Sequence, residues 1–373
     1  MPRIKEKIPI NLAWFISPHG FGHAARSAAV MESLFLLDPS VQIHIFTKVP
    51  KWFFEESLSF AFDYHPVLTD IGLVQKDPLH EDIDETIRVL DDFLPFDNAL
   101  ISQLSGQINV LNCRLIVCDI APMGIAVAKA CGITSILIEN FTWDWIYEGY
   151  RHQNCRIMPH IEYLKHLFES ADYHIQTAPI CVPSPDAHLT TLPISRKIRT
   201  QAKIIREQLG IPPESKAVLI TMGGIEGKFG FLNQLEEYPD VYFVIPGGSS
   251  LKTTRKRLIL LPHHSDFYHP DLVNACDAVI GKVGYSTLAE VWQAGVPFGY
   301  VPRPFFPESE KLTCYIEQQM NGMMIEDYEF EDGQWLSRLK ELLSMPRIQR
   351  NSSDGAVQAA RFIVQLYTCH CCL

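Results

Sequence analysis

The sequence predicts an α/β protein of two doubly wound domains facing a cleft. Three observations carry that expectation. Short, continuously apolar β-branched runs alternate with helical stretches, the pattern of parallel sheets covered on both faces. The alternation occurs in two successive sets. Between them lies the stretch TAPICVPSPDAHLTTLPISR, with four prolines from Pro179 to Pro193, which reads as a linker.

The first set of strands is expected at Ile10–Ile16, Val41–Thr47, Leu115–Asp119, Ser135–Glu139 and Tyr173–Thr177. The second is expected at Ala217–Met222, Val241–Pro246, Ala278–Gly281 and Phe298–Val301, with Met323–Glu326 behind them. A last helix is expected near Asp354–Tyr367. The 373 residues suit two cores rather than one, and 47% hydrophobic with 20% charged residues is a globular composition.

Lysine and arginine number 32 against 43 acidic residues, a formal charge of −11 that argues against nucleic-acid polymers as partners. Small phosphates remain compatible, because backbone amides hold them without net positive charge. No apolar run has the length of a membrane span, and the N-terminal run is too short for a signal peptide. The ten cysteines are scattered, with a CxxC spacing only at Cys369 and Cys372 in the terminal CHCCL, and read as reduced, which points to the cytoplasm. The ending CHCCL has no cysteine fourth from its end, so it lacks the usual prenylation pattern. The cationic run Lys252–Arg257 reads as a solvated face; a membrane contact there has no further support.

The stretch SPHGFGHAAR follows the first strand directly. Ala24, Ala28, Met31 and Phe35 recur at helical spacing, so a helix starts close to His23. Gly20 and Gly22 allow a tight turn and close approach to a ligand, although the third glycine of a dinucleotide fingerprint is missing. The loop lies at the carboxyl end of a strand, where open α/β sheets bind ligands. A histidine there suits a general base near neutral pH. Helix capping by His19 or His23 would give the same pattern.

In the second set, Ala278–Gly281 runs into a glycine loop ending at Gly284, and a helix begins near Ser286. Free amides at such a start, reinforced by the helix dipole, suit a diphosphate. Glu290, one turn in, is placed to accept hydrogen bonds from a ribose diol.

Together, GHAAR, ENFTWDWIYEGY, LPHHSDFYHPDLVNACDAVIGKVGYSTLAE and VPRPFFPE make the chain resemble nucleotide-sugar glycosyltransferases of the glycosyltransferase B fold. Within that family the likeness is to the glycosyltransferase-like half of plant L-arabinokinases and their stand-alone prokaryotic relatives. Arabinokinase activity itself is not implied. The resemblance implies an N-terminal acceptor-side Rossmann-like domain over 1–193, a donor-binding Rossmann-like domain over 194–350, and a C-terminal helix and tail over 351–373. It also implies His23 as base, with Asp119 orienting it. For the donor it implies Gly223, Gly224, Gly284, Ser286 and Thr287 near the diphosphate and Phe267 or Tyr268 near the base. Glu290 then matches the ribose ligand, Arg303 and Glu308 the sugar or phosphate contacts, and Lys282 a partner of the leaving diphosphate. Asn140, Trp143 and Asp144 are candidate acceptor contacts, since aromatic faces suit sugar rings. The sequence read PESEK replaces the glutamine pair of the cell-wall enzymes, so their sugar preference does not transfer.

The expected reaction is transfer of a sugar from a nucleotide-diphosphate sugar to an unidentified hydroxyl acceptor, with inversion. No cofactor or metal is expected, because no metal-ligand cluster stands out. A nucleotide-sugar epimerase or hydrolase on the same fold, or a non-catalytic sugar- or nucleotide-binding protein, would carry the same motifs.

Overall fold

A computed structural model describes residues 9–76, 80–222, 230–350 and 354–369. The chain divides into two compact units. Unit 1 holds 1–74, 82–194 and 353–373, and unit 2 holds 75–81 and 195–352.

Among the described residues of unit 1, seven strands form one sheet: β1 (Ile10–Ile16), β2 (Val41–Phe46), β3 (Asp63–His65), β4 (Cys113–Asp119), β5 (Thr134–Glu139), β6 (Tyr173–Thr177) and β7 (Leu189–Thr191). Their order is β3-β2-β1-β4-β5-β6-β7, parallel throughout. Leu12 through Ile16 are fully buried, which explains the unbroken apolar reading of β1. The order reverses between β1 and β4, so the loops after these two strands diverge and leave a crevice at their carboxyl ends.

The proline-rich stretch is not wholly a linker. Leu189–Thr191 leave it to pair with β6 as the sheet's edge, where neighbouring prolines cost no central ladder bond. The helices Gly22–Leu37 and Gly355–Cys369 share one core with β1. Ala24, Ala28 and Met31 of the first join Ala356, Ala359, Ala360 and Ile363 of the second. Small side chains permit that close approach. Gly355 is required where it lies, because a Cβ there would sit 2.1 Å from the Leu192 carbonyl oxygen.

Unit 2 repeats the plan with β8 (Lys216–Thr221), β9 (Val241–Pro246), β10 (Thr253–Arg255), β11 (Leu258–Leu261), β12 (Ala278–Lys282), β13 (Phe298–Val301) and β14 (Gly322–Met324). The order β10-β11-β9-β8-β12-β13-β14 reverses between β8 and β12, and among the described residues only β10 runs antiparallel to its neighbour. β10 and β11 were not evident from the sequence. Thr253–Arg255 lie within the basic run and form an exposed edge, which charged side chains protect from further pairing. β8 and β12 approach so closely that a Cβ on Gly281 would lie 2.0 Å from the Thr221 carbonyl oxygen.

Gln75–Glu81 departs from the expected 1–193 domain by grouping with unit 2. Its anchor is a buried ion pair between Glu81 and Arg303.

Candidate active site

In unit 1 the polar groups gather at the crevice between β1 and β4. Gly20, with φ of +71°, turns the chain out of β1 in a conformation that favours glycine. Gly22 opens the helix, and His23 is its second residue. Asp119 ends β4 in register with Ile16. The next residue, Ile120, takes φ of +41°, a costly conformation for a β-branched side chain at the very point where the strand leaves the sheet.

His23 Nδ1 lies 3.1 Å from Asp119 Oδ1, and among the described residues Nε2 has no hydrogen-bond partner. One helical turn on, Arg26 presents the same face. Its Nε donates to Asp119 Oδ2 at 3.0 Å, its Nη2 to Oδ1 at 2.5 Å, and its Nη1 to Asn140 Oδ1 at 2.6 Å. The Ser27 hydroxyl donates to Asp119 Oδ2 at 2.9 Å. Asp119 and Asn140 are fully buried and Arg26 is 2% exposed. Burial alone would raise the Asp119 pKa, but Arg26 and His23 hold it below the usual carboxylate value. Burial pushes the His23 pKa down against the pull of Asp119, so the imidazole is neutral at neutral pH. A neutral, oriented imidazole with one open nitrogen is a proton acceptor.

Beside this group lies Asp70, which accepts from the Ser17 hydroxyl at 2.9 Å and from Trp143 Nε1 at 3.3 Å. Burial, helped by the nearby Asp119 charge, pushes its pKa up to about 8. His19 packs differently from His23. A Cβ on Gly72 would come within 2.7 Å of the His19 ring, whose edge meets Trp143 at 5.1 Å between centroids. This histidine braces the loop, and Tyr147 secures the same turn by donating to the Gly72 carbonyl at 2.6 Å.

The candidate acceptor contacts separate in the structure. Trp143 is fully buried, as are Tyr147 and Tyr150 to within 1%, so these rings pack and present no face to a sugar. Asn140 is equally buried and braces Arg26. Asp144 alone of the three is partly exposed.

In unit 2 the helix Tyr285–Ala294 starts at Gly284, after β12, with no side chain capping its first amides. Those amides are the anion-binding kind of helix start. Ser286 is partly exposed there and Thr287 is 5% exposed. Gly284 has open space where a Cβ would point, so contacts within the protein do not require glycine. Gly223 and Gly224 lie outside the described residues.

Glu290 differs from a free ribose acceptor. It is 4% exposed, and both oxygens are engaged: Oε1 accepts from Arg196 Nε at 3.0 Å and Oε2 lies 2.6 Å from His269 Nδ1. Burial opposes its ionisation, but Arg196 and His269 lower its pKa below the ordinary value. Tyr268 is also enclosed, with the Arg196 and Arg199 guanidinium carbons 5.0 and 4.2 Å from its ring centroid. Burial pushes its pKa up to about 12. Phe267 is partly exposed, with Lys252 Nζ 5.2 Å from its ring.

Arg303, too, is not an open cation. It is 6% exposed, ion-paired with Glu81, and stacked 3.6 Å from the Phe306 ring. Glu308 is 5% exposed in the first turn of the helix Pro307–Gln319. Lys282, at the end of β12, has its pKa pushed down to about 7 by burial and by the Arg303 charge, against Glu81 and Glu308.

Sequence reading missed Arg26, Asp70, Glu81, Arg196 and His269. Arg26 carried a usable signal, since it follows His23 by three on one helix. The others meet their partners across 21 to 222 residues, where no local spacing reports them.

Known proteins agree with this architecture. Residues 236–366 match the glycosyltransferase family 28 C-terminal domain. The chain is 25% identical over 360 residues to the L-arabinokinase of Arabidopsis thaliana, covering 94% of this chain and 34% of that protein. It is 25% identical over 181 residues to the UDP-N-acetylglucosamine–N-acetylmuramyl-(pentapeptide) pyrophosphoryl-undecaprenol N-acetylglucosamine transferase of Aquifex aeolicus, covering 43% of this chain and 49% of that one. The chain thus spans about a third and about half of these two relatives. The spinosyn forosaminyltransferase SpnP aligns with a TM-score of 0.62 at 13% identity, over 95% of this chain and 94% of its own. The chain therefore has the glycosyltransferase B fold, is homologous to L-arabinokinase, and over residues 236–366 is similar to the glycosyltransferase family 28 C-terminal domain.

Proposed function

We propose that the protein is an inverting glycosyltransferase that needs no metal and moves a sugar from a nucleotide-diphosphate sugar to a hydroxyl acceptor in the cytoplasm. The observation that carries this reading is the His23–Asp119 pair at the sheet's switch point, with Nε2 of the imidazole unpartnered among the described residues. His23 Nε2 takes the acceptor's hydroxyl proton as that oxygen attacks the anomeric carbon. The bond to the diphosphate oxygen breaks, and Asp119 stabilises the imidazolium that forms. Arg26 keeps Asp119 ionised throughout. In unit 2 the uncapped amides at the start of Tyr285–Ala294, with Lys282 beside them, receive the departing diphosphate.

The test is a thermal-shift and turnover screen of the purified chain against UDP-, GDP-, TDP- and CDP-sugars. At least one donor is expected to bind, and its turnover is expected to survive EDTA. No binding and no turnover with any donor sinks the reading, and a loss under EDTA that magnesium restores sinks its metal independence.

A further inference from the structure

Unit 1 contains a cavity of about 580 Å³ between the β5–β6 face of the sheet and the segments around Trp145, Glu169 and Asp186. That volume accommodates a small ligand rather than a few waters. Its charge is one-sided. Glu139, Asp144, Glu169 and Asp186 line it against one lysine, Lys165, and the acids still outnumber the bases when His174 and His188 are both counted as charged.

The decisive group is Glu139, at the end of β5 and only 3% exposed. Its Oε1 already takes two hydrogen bonds, from His174 Nε2 at 2.6 Å and Gln176 Nε2 at 2.7 Å. Its Oε2 takes no hydrogen bond among the described residues, and Glu139 lines the cavity. Gln176 is locked in turn by the Val182 carbonyl and the Ser184 amide, so the donors to Oε1 are fixed and Oε2 cannot borrow them. Asp144 also lines the cavity: its carboxyl is hydrogen-bonded by Thr142 and by the Asp144 and Trp145 backbone, yet its buried Oδ1 has no partner among the described residues. Burial raises the Asp144 pKa, a cost that a bound cation would offset. Two underused carboxylates ask for hydrogen-bond donors carrying positive charge, and the half-buried Trp145 indole offers a flat apolar face beside them.

We propose that this cavity is a binding site for a small amine-bearing, hydroxyl-rich ring compound of the amino-sugar or aminocyclitol class. The ammonium pairs with Glu139 Oε2 and Asp144, hydroxyls meet the remaining polar wall, and the ring lies against Trp145. Apart from Asp144, also a candidate acceptor contact, the site shares no residue with the transfer machinery above. Phe141 separates the two: it lines this cavity while its ring edge meets His23 at 5.9 Å between centroids.

The experiment is calorimetric titration of the full chain, without any nucleotide sugar, using 2-deoxystreptamine and glucosamine against their neutral counterparts myo-inositol and glucose. The amines are expected to bind at least about tenfold more tightly than the neutral rings, as charge-assisted hydrogen bonds should outweigh neutral ones. Glu139→Gln is expected to weaken amine binding by about tenfold or more, and Asp144→Asn by several-fold, with melting curves confirming folded protein. Because Glu139→Gln removes a buried charge, Glu169→Lys at the exposed rim is the companion variant. It keeps the interior intact and is expected to weaken the amines while leaving the neutral rings unchanged. Equal affinity for amines and neutral rings, no amine binding at millimolar concentration, or unchanged affinity in the folded variants would each overturn the proposal. None of these outcomes depends on whether the protein transfers sugar.

Discussion

The two units each bury a carboxylate between an arginine and a histidine, yet the two groups are built for different ends. In unit 1, Asp119 is shared by Arg26 and His23; in unit 2, Glu290 is shared by Arg196 and His269. Both carboxylates keep lowered pKa values by the same contest, with burial opposing ionisation and the arginine favouring it. The histidines differ. His269 is tied at both ends, with Nδ1 on Glu290 and Nε2 3.3 Å from the Thr221 hydroxyl. Among the described residues His23 is tied at Nδ1 alone, beside Asp119 and Arg26. A ring held on both sides stiffens the end of the interior strand β8, whereas a ring held on one side can accept a proton from something that arrives. The inventory of residue types does not separate structure from chemistry here; the open nitrogen does.

The largest expected contrast follows from that nitrogen. His23→Ala should lower turnover by about 10²–10⁴-fold with donor affinity preserved, while His269→Ala should cost stability and leave most of the turnover. Steady-state kinetics and melting on both variants would erase the distinction if the two behaved alike. Under the same reading, kcat/KM should hold its neutral-pH value down past histidine's ordinary 6.5, because burial keeps His23 deprotonated there.

The arginines should behave alike where the histidines do not. Arg26→Met and Arg196→Met each strand a buried carboxylate, at about 3–5 kcal/mol of stability. Denaturant melts on both measure this. A negligible loss for either would mean that its carboxylate finds another partner.

Unit 1 holds a further carboxylate without a counterpart in the unit 2 group. The Asp70 pKa is about 8 in the folded protein against an ordinary 3.8, so the folded state binds that proton more tightly than the unfolded chain does. Its contribution to stability is complete below pH 3.8 and is lost as pH rises through 8. Asp70→Asn should flatten that decline, gaining a few kcal/mol relative to wild type at alkaline pH, at about 1.36 kcal/mol per pKa unit. Melts of the two proteins from pH 4 to 9 that run parallel would refute the assignment.

The smallest effect tests the anchoring of His269. Gly281→Ala drives a methyl group into the Thr221 carbonyl, shifting the strand that supplies the Thr221 hydroxyl. A loss of about 1–3 kcal/mol is expected, without the kinetic penalty of His23→Ala.

Much of the architecture was legible because parallel strands, covered on both faces, leave apolar runs that need no partner to be recognised. β1, β9 and β13 begin and end at the residues the pattern names. The short edge strands β3 and β7 were not legible, with three residues each, too few for periodicity to show, and β14 lies at Gly322–Met324, one residue ahead of the expected Met323–Glu326. Within the candidate site, His23 was readable from the glycines around it. The aromatic run after β5 misled, since a sequence rich in Trp and Tyr looks the same whether the rings meet a sugar or each other. Glu290 and Arg303 read as open ligands because their partners, Arg196 and Glu81, come from distant stretches of chain.

The helix Gly355–Cys369 has a consequence for how the protein comes into being. Ala356, Ala359, Ala360 and Ile363 complete a core whose other side was laid down by Leu12 and Trp14, some 340 residues earlier in synthesis. A ribosome must therefore finish all of unit 2 before the first unit can close. During that interval the early strands stay open to chaperones and proteases. Stalled nascent chains lacking residues 354–369 should be cut within unit 1 by a protease that spares the released protein.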